Sequence, residues 1–169
     1  EMWKTRLGHL FCGAGGSVGQ RGVAIVIHRK LAGRMSSFMA LSERVCAVDL
    51  NLDGIRARVI AAYMPDASYA DAVVEAAYTE LDKLCKGARL QGRIILGAGD
   101  WNAVVGPRKP GEEKTVLGEH AVGERNKRGD WFVEGATSQK LAILNTCFRK
   151  PFHKQWTHKR GDSLRQIDF

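Results

Sequence analysis

The stretch "RVCAVDLNLDGIRARVIAAYM", Arg44 to Met64, constrains this chain most. Val45, Ala47 and Asp49 alternate with Cys46, Val48 and Leu50, the two-residue period of a β-strand. Asp53-Gly54 then supplies residues that tolerate positive φ, as a tight hairpin turn requires, and Ile55 opens a second strand. Pro65 stops that strand because proline cannot donate to a ladder. A β-hairpin over Val45 to Met64 is therefore the first element fixed.

After Ser68 the period changes. Val74, Ala77, Leu81, Leu84 and Cys85 share one helical face, which predicts a helix between Ser68 and Lys86. Ser68 with Asp71 three residues on resembles a capping box, and Gly87 is placed as the residue just past the helix end. "VAIVIH", Val23 to His28, reads as a strand, as does the apolar run Ile94 to Leu96. Residues 106–128 are polar and Gly-rich and read as a long functional or mobile loop. Beyond it, "GDWFVEGATSQK" reads as a helix, "LAILN" as a short strand, and "QWTHKRGDSLRQIDF" as a hairpin turning at Arg160 to Asp162.

At 169 residues the chain fits one domain. Its 26 lysines and arginines exceed its 18 acidic residues, a formal charge of +8 that suits a polyanionic partner without identifying one. Cys12, Cys46, Cys85 and Cys147 are widely separated among apolar residues and read as buried reduced thiols. With neither a membrane span nor a signal peptide in view, the expectation is an intracellular protein, nuclear or cytoplasmic, with no membrane partner. The chain starts without methionine and ends on "RQIDF" in what reads as mid-strand, so a fragment is expected.

Several chemistries lack their residues. "GAGGSVG", Gly13 to Gly19, is followed by Gln20 and Arg21 where a phosphate loop needs Lys-Ser/Thr, so it reads as a flexible turn. His9, His28, His120, His153 and His158 show no paired zinc spacing. No G-x-S-x-G elbow exists. What remains is polar residues at the ends of β runs: Tyr63, Asp100 and Asn102 in "RIILGAGDWNAVVG", Asn145, and Asp168. If the backbone stays extended past Gly99, Asp100 and Asn102 face one side and Trp101 the other; a plain turn is the alternative. Asp168 lies between Ile167 and Phe169, and a carboxylate buried there must be paired, metal-bound or protonated. Oxygen donors without thiols or histidines favour Mg²⁺ or Mn²⁺.

"GDWNA" resembles a GDFNA motif and "AYMP" a tyrosine-bearing AYxPN motif. "RNKRGDWF", "LAILNTCF" and "WTHKRGDSLRQIDF" resemble an N-x-RG, NT-x-F, TW and QIDY series. In this order they resemble the endonuclease/exonuclease/phosphatase family, and within it the apurinic-type endonuclease domain of non-LTR retrotransposons and their domesticated relatives. The resemblance implies an α/β fold, a four-layer sandwich of two packed β-sheets flanked by helices, spanning Glu1 to Phe169. It implies an incomplete domain, whose first strand, with a metal-site Asn, and closing S-D-H strand are absent.

Carried over by motif, Asp100 would activate or orient the attacking water, Asn102 would hold water and phosphate, and Tyr63 would bond a phosphate oxygen. Asp168 would orient a histidine. Asn126, Arg128, Asn145 and Thr157 would bind substrate, and Glu1 would hold Mg²⁺ or Mn²⁺. Asp66 stands where the motif has Asn, and Trp101 replaces Phe. The function implied is a Mg²⁺-dependent phosphodiesterase that nicks DNA, with a reverse transcriptase as a fused partner outside this chain. The alternatives are an inactive remnant that binds nucleic acid and a phosphatase of small or lipid phosphoesters. Tyr63, Asp100, Asn102 and Asp168 are expected on one rim. Arg125, Lys127 and Arg128 are expected as surface contacts to DNA. Glu1 to Phe169 alone is expected to be inactive as a nuclease and to associate through open sheet edges.

Overall fold

The computed structural model describes residues 1–15 and 22–169. Gly13 to Gly15 end a strand, and the rest of the Gly-rich stretch through Gly19 lies outside the described residues. Two compact units result, one of residues 1–64 and 71–99, the other of residues 65–70 and 100–169.

The first unit holds two sheets. Strands β1 (Met2–Lys4), β2 (Leu10–Gly15) and β3 (Gly22–Ile27) form one sheet in that order. A short helix α1 (Arg29–Ala32) leads to the second sheet, β4 (Met35–Ala40), β5 (Val45–Leu52), β6 (Ile55–Tyr63) and β7 (Ile94–Asp100), also in chain order. The expected hairpin is β5 and β6, paired from Val45 with Ala62 to Leu52 with Ile55. Its turn residues Asp53 and Gly54 both have positive φ, 39° and 92°. β1 and β4 have no counterpart among the expected elements, and β2 corrects the flexible turn expected from Gly13, because Gly13, Ala14 and Gly15 pair with Ala24, Val23 and Gly22 of β3.

Every residue of β5 from Val45 to Leu50 is buried, because both faces of its sheet are covered. Val48 and Leu50 meet Leu10, Cys12 and Ile27 of the first sheet in one core. Helix α2 (Asp71–Leu90) packs on β5 and β6 and buries Val74, Ala77, Leu81, Leu84, Cys85 and Ala88. All five residues expected on the helix's apolar face are among them. Its ends differ from expectation. Ser68 caps nothing in α2; its N–H and hydroxyl both bond Asp66 Oδ1, at 2.8 and 2.6 Å. Nor does Gly87 end the helix, which runs one turn further to Leu90. Gly87 is small because Arg58 passes there: a Cβ at residue 87 would lie 3.1 Å from Arg58 Nη1.

Between sheet and helix sits a buried ion pair. Arg58 Nε and Nη2 donate to Asp49 Oδ1 and Oδ2 at 2.7 and 2.8 Å, and Arg58 Nη1 donates to Leu84 O of α2 at 2.9 Å. Ser37 of β4 adds a hydroxyl bond to Asp49 Oδ2 at 3.0 Å, and Arg93 approaches the same oxygen at 3.2 Å. Burial alone would push the Asp49 carboxyl up, but the hydrogen bonds from Arg58 and Ser37, with the charges of Arg58 and Arg93, hold it below its ordinary value.

The second unit is built on another core, in which Ala103, Val105, Val116, Leu117, Phe132, Val133, Ala136 and Ile143 pack together. α3 (Lys127–Ser138) supplies three of them, confirming a helix that starts two residues before the expected one. The long segment before α3 is not a free loop, since Val116 and Leu117 are fully inside and Leu117 bridges to Ile143. "LAILN" is no strand: only Ile143 forms that bridge, and Leu144–Thr146 is a 3-10 turn. One bridge partner is too little ladder to extend a strand. The hairpin near the end is present as β8 (His158–Arg160) and β9 (Ser163–Arg165). Cys12, Cys46 and Cys85 are buried free thiols as expected, while Cys147 is half-buried and also free. No helix among the described residues is long and apolar enough to cross a membrane.

Removing Asp49 leaves Arg58 charged and buried without its partner, which costs roughly 3–5 kcal/mol. Asp49→Ala should therefore lose about that much stability in urea titrations at neutral pH. The depressed carboxyl gives the sign with pH: its stabilisation is complete above the ordinary carboxylate pKa and fades as pH falls towards the lowered value. The deficit of Asp49→Ala against the parent should shrink below about pH 4; an unchanged gap would contradict the role assigned to the pair.

Candidate active site

Strand β7 delivers Asp100 through Gly99, whose backbone has φ +154° and touches β6. A Cβ at residue 99 would lie 1.8 Å from Ala62 O, so only glycine fits this approach. The extended backbone ends at Asp100. Asn102 has φ +48°, and its N–H turns back to donate to Asp100 Oδ1 at 2.9 Å. The alternation that would have placed Asp100 and Asn102 on one side by strand geometry is thus replaced by a tight turn, and the turn itself brings the two together. Trp101 points into the core, stacked on Phe132 at 4.1 Å, and Phe132 meets Phe169 edge-on at 5.1 Å.

Asp168 lies beside Asp100. The two residues form an antiparallel β-bridge, and Trp101 N donates to Ile167 O at 2.8 Å. Both carboxylates are half-buried, so the closed pocket expected for Asp168 is not observed. No hydrogen bond to the Asp168 side chain exists among the described residues, and its backbone carries the contacts instead. Asn145 Nδ2 donates to Asp168 O at 2.9 Å. Thr157 Oγ1 accepts from Ile167 N at 3.0 Å and Asp168 N at 3.1 Å.

Burial pushes the Asp100 carboxyl up. The Asn102 N–H works against that shift, Asp168 and Asp66 reinforce it through like charge, and His158 opposes it. Asp100 is thus a carboxylate that holds a proton more readily than usual, which suits a group that exchanges protons with water.

The other motif residues act on this frame through backbone. Asn126 Oδ1 accepts from Val104 N at 3.2 Å and from Gly129 N at 2.8 Å, capping α3 and pinning the segment after Asn102. A Cβ at Gly129 would lie 1.9 Å from Val104 O, which explains the Arg-Gly of that motif by contact. Arg128 is buried at 6% exposure and donates to Tyr69 O at 2.7 Å. Arg125 is likewise enclosed, bonding the carbonyls of Val105 and Pro107 and the carboxylate of Glu112. The expectation that Arg125 and Arg128 are surface contacts to DNA is corrected: both cations tie chain segments together inside the second unit. Lys127 is exposed.

Tyr63 and Glu1 belong to the first unit. Tyr63 ends β6 and is clamped by Arg44, a residue the sequence reading passed over. Tyr63 N donates to Arg44 O at 2.8 Å, Arg44 Nη1 donates to Tyr63 O at 3.2 Å, and the guanidinium lies 5.4 Å from the phenol ring centre. Its position one residue before a strand gave no periodic signal. Glu1 pairs with Gly13 through its amino group and carbonyl, at 2.7 and 2.9 Å, and is exposed. Among the described residues no three acidic, histidine or cysteine side chains form a group that could hold a metal ion.

No family model matches the sequence. Craniofacial development protein 2 of Bos taurus is 26% identical over 163 residues, covering 94% of this chain and 26% of that protein. Its counterpart in Tragulus javanicus is 24% identical over 163 residues, covering 94% and 27%. The chain thus spans about a quarter of the length of the curated relatives it matches. Among solved structures, the endonuclease domain of TRAS1, a telomere-specific non-LTR retrotransposon, superposes with a TM-score of 0.64 at 12% identity, over 95% of this chain and 63% of that one. The resemblance read from the ordered motifs is borne out at the level of fold. The chain has the α/β fold of a retrotransposon endonuclease domain.

The raised Asp100 carboxyl means that ionising it costs the fold stability, a cost absent at low pH and complete once pH exceeds the raised value. Asp100→Asn keeps an oxygen for the Asn102 N–H and removes the charge. Its melting temperature at neutral pH should equal or exceed the parent's, converging with it below about pH 4. A clear loss of stability at neutral pH would mean that the ionised carboxylate holds the turn together.

Proposed function

We propose that this chain is the phosphodiesterase domain of a DNA-nicking enzyme dependent on Mg²⁺ or Mn²⁺. One observation carries the reading: on the fold of an endonuclease domain, Asp100 ends a strand beside Asp168 with its carboxylate partly withdrawn from water and fixed by the Asn102 N–H. A hydrolytic phosphodiesterase needs a base that orients water in line with the bond to be broken. In this reading ionised Asp100 takes the proton of the attacking water as its oxygen bonds to phosphorus and the bond to the leaving sugar oxygen breaks. Asn102 holds water and phosphate through its carboxamide, and Tyr63 donates to a phosphate oxygen.

Asp168 acts as an acceptor that orients a proton-donating group. Its side chain has no hydrogen bond among the described residues, while Asn145 and Thr157 hold its backbone on both sides. Asn126, Arg128, Asn145 and Thr157 are positioning residues here, in place of the direct substrate contacts implied by their motifs. The donors are carboxylate and amide oxygens, which suit Mg²⁺, an ion often held by one or two carboxylates with water and substrate completing the shell. Glu1 is the proposed ligand on motif grounds. When bound, the ion would neutralise charge developing on the phosphate and leaving oxygen.

In the intact protein, Asp100→Ala should slow relaxation of supercoiled plasmid by roughly 10²-fold or more with DNA affinity nearly unchanged, the signature of a lost transition-state interaction. Affinity falling in step with activity would assign Asp100 to binding instead. Thr157→Val removes the acceptor of two backbone N–H groups and should reduce turnover more than binding, while amide exchange at Ile167 and Asp168 accelerates. Unchanged exchange at those amides would remove the argument for Thr157 as a positioning residue.

A further inference from the structure

An open cavity of about 530 Å³ lies in the first unit at the turn end of the β5–β6 hairpin, lined by Arg34, Asn51, Asp53, Arg56 and Arg93 among others. It is remote from the Tyr63 end of the same hairpin: seven residues of strand separate Arg56 from Tyr63, about 23 Å. Four arginines in and under this cavity, Arg34, Arg56, Arg58 and Arg93, face two aspartates, Asp49 and Asp53. Two positive charges are left in excess.

The arginines differ in how they are held. Arg93 is fixed from below by Asp49 and by Asn51 Oδ1 at 3.2 Å and Gln91 Oε1 at 2.8 Å. Arg34 pairs with Asp53 at 2.9 Å, but both side chains are exposed, at 52% and 84%, so water screens that pair and a stronger anion can replace it. Arg56 is exposed and makes no hydrogen bond or ion pair among the described residues. Its guanidinium rests over Gly92, where a Cβ would lie 3.0 Å from Nη2. A planar fork of donors held over a glycine, beside a second fixed guanidinium, is suited to bidentate capture of phosphate oxygens.

We infer that this arginine cavity is a second nucleic-acid contact, which takes a backbone phosphodiester through Arg56 and Arg34 at the turn end of the β5–β6 hairpin. The choice of DNA as the polyanion rests on the proposed function; the cavity's anion preference rests on the arginines alone. Guanidinium chemistry and the formal charge of +8 favour a phosphate chain over a carboxylate one.

The test uses the chain as it stands and a fluorescein-labelled 30-base-pair duplex, with affinity measured by anisotropy across a range of salt. Arg56→Ala should weaken binding roughly three- to tenfold and reduce the slope of log K against log salt by about 1, and Arg34→Ala/Arg56→Ala should reduce it by about 2. Arg56→Lys should retain much of the affinity. Lys83→Ala, an exposed charge removed from α2, should change little. Matching melting temperatures would exclude misfolding as the cause. The proposal fails if Arg56→Ala and Lys83→Ala behave alike, if the parent chain does not bind the duplex, or if polyglutamate competes as well as DNA at equal charge. Nicking by Asp100→Ala, measured separately in the intact protein, reports on the proposed function; loss there with unchanged Arg56→Ala binding would sink this inference and leave that one standing.

Discussion

The bidentate pair between Asp49 and Arg58 is the constraint on which the first unit depends. Two charges cannot be carried into an interior unless each is met, and Arg58 has enough donors to meet Asp49 twice and still reach Leu84 O on α2. Sheet and helix are thereby locked at one relative position, because sliding α2 along β5 and β6 would strand a guanidinium nitrogen. The small residue at Gly87 follows from the same demand, since the guanidinium needs the space a side chain would fill. Apolar packing around Val48 and Leu50 supplies burial without direction; the ion pair supplies the register.

In the second unit direction comes from backbone bonds to side-chain amides and hydroxyls. The side chains of Asn126, Asn145 and Thr157 bond peptide groups at Val104, Gly129, Ile167 and Asp168. In the role proposed for Asp100, a carboxylate acting on water has to stay accessible, so it cannot be immobilised by burying it. Fixing the peptide on either side leaves the carboxylate open and still limits where it can go. The Trp101, Phe132 and Phe169 rings do the complementary work, anchoring the residues adjacent to Asp100 and Asp168 in the core.

Net charge says less about this chain than its distribution does. Arg125 and Arg128 stand in the most motif-rich part of the sequence, yet each is committed to carbonyls or a carboxylate inside the second unit. Arg56, in an unremarkable strand position, is exposed with its donors unspent. A composition counts the cations; only the fold separates those that hold the chain from those left open to solvent.

What the sequence by itself determined is where a local signal is strong. Alternation and an Asp-Gly turn gave the β5–β6 hairpin, helical spacing gave the buried face of α2, and the ordered motifs gave the fold that the TRAS1 domain shares. It misplaced what depends on distant contacts. Gly87 reads as a helix end until Arg58 is seen beside it, and "LAILN" reads as a strand until Ile143 is found with a single bridging partner. Asp100 and Asn102 read as a site because of their types and order, and the turn that joins them is local, but the neighbour Asp168 and the raised carboxyl exist only once the chain is folded and residues 68 positions apart are paired. The physical reason is that period and turn chemistry act over a few residues and are written locally, whereas desolvation and proximity belong to the folded chain.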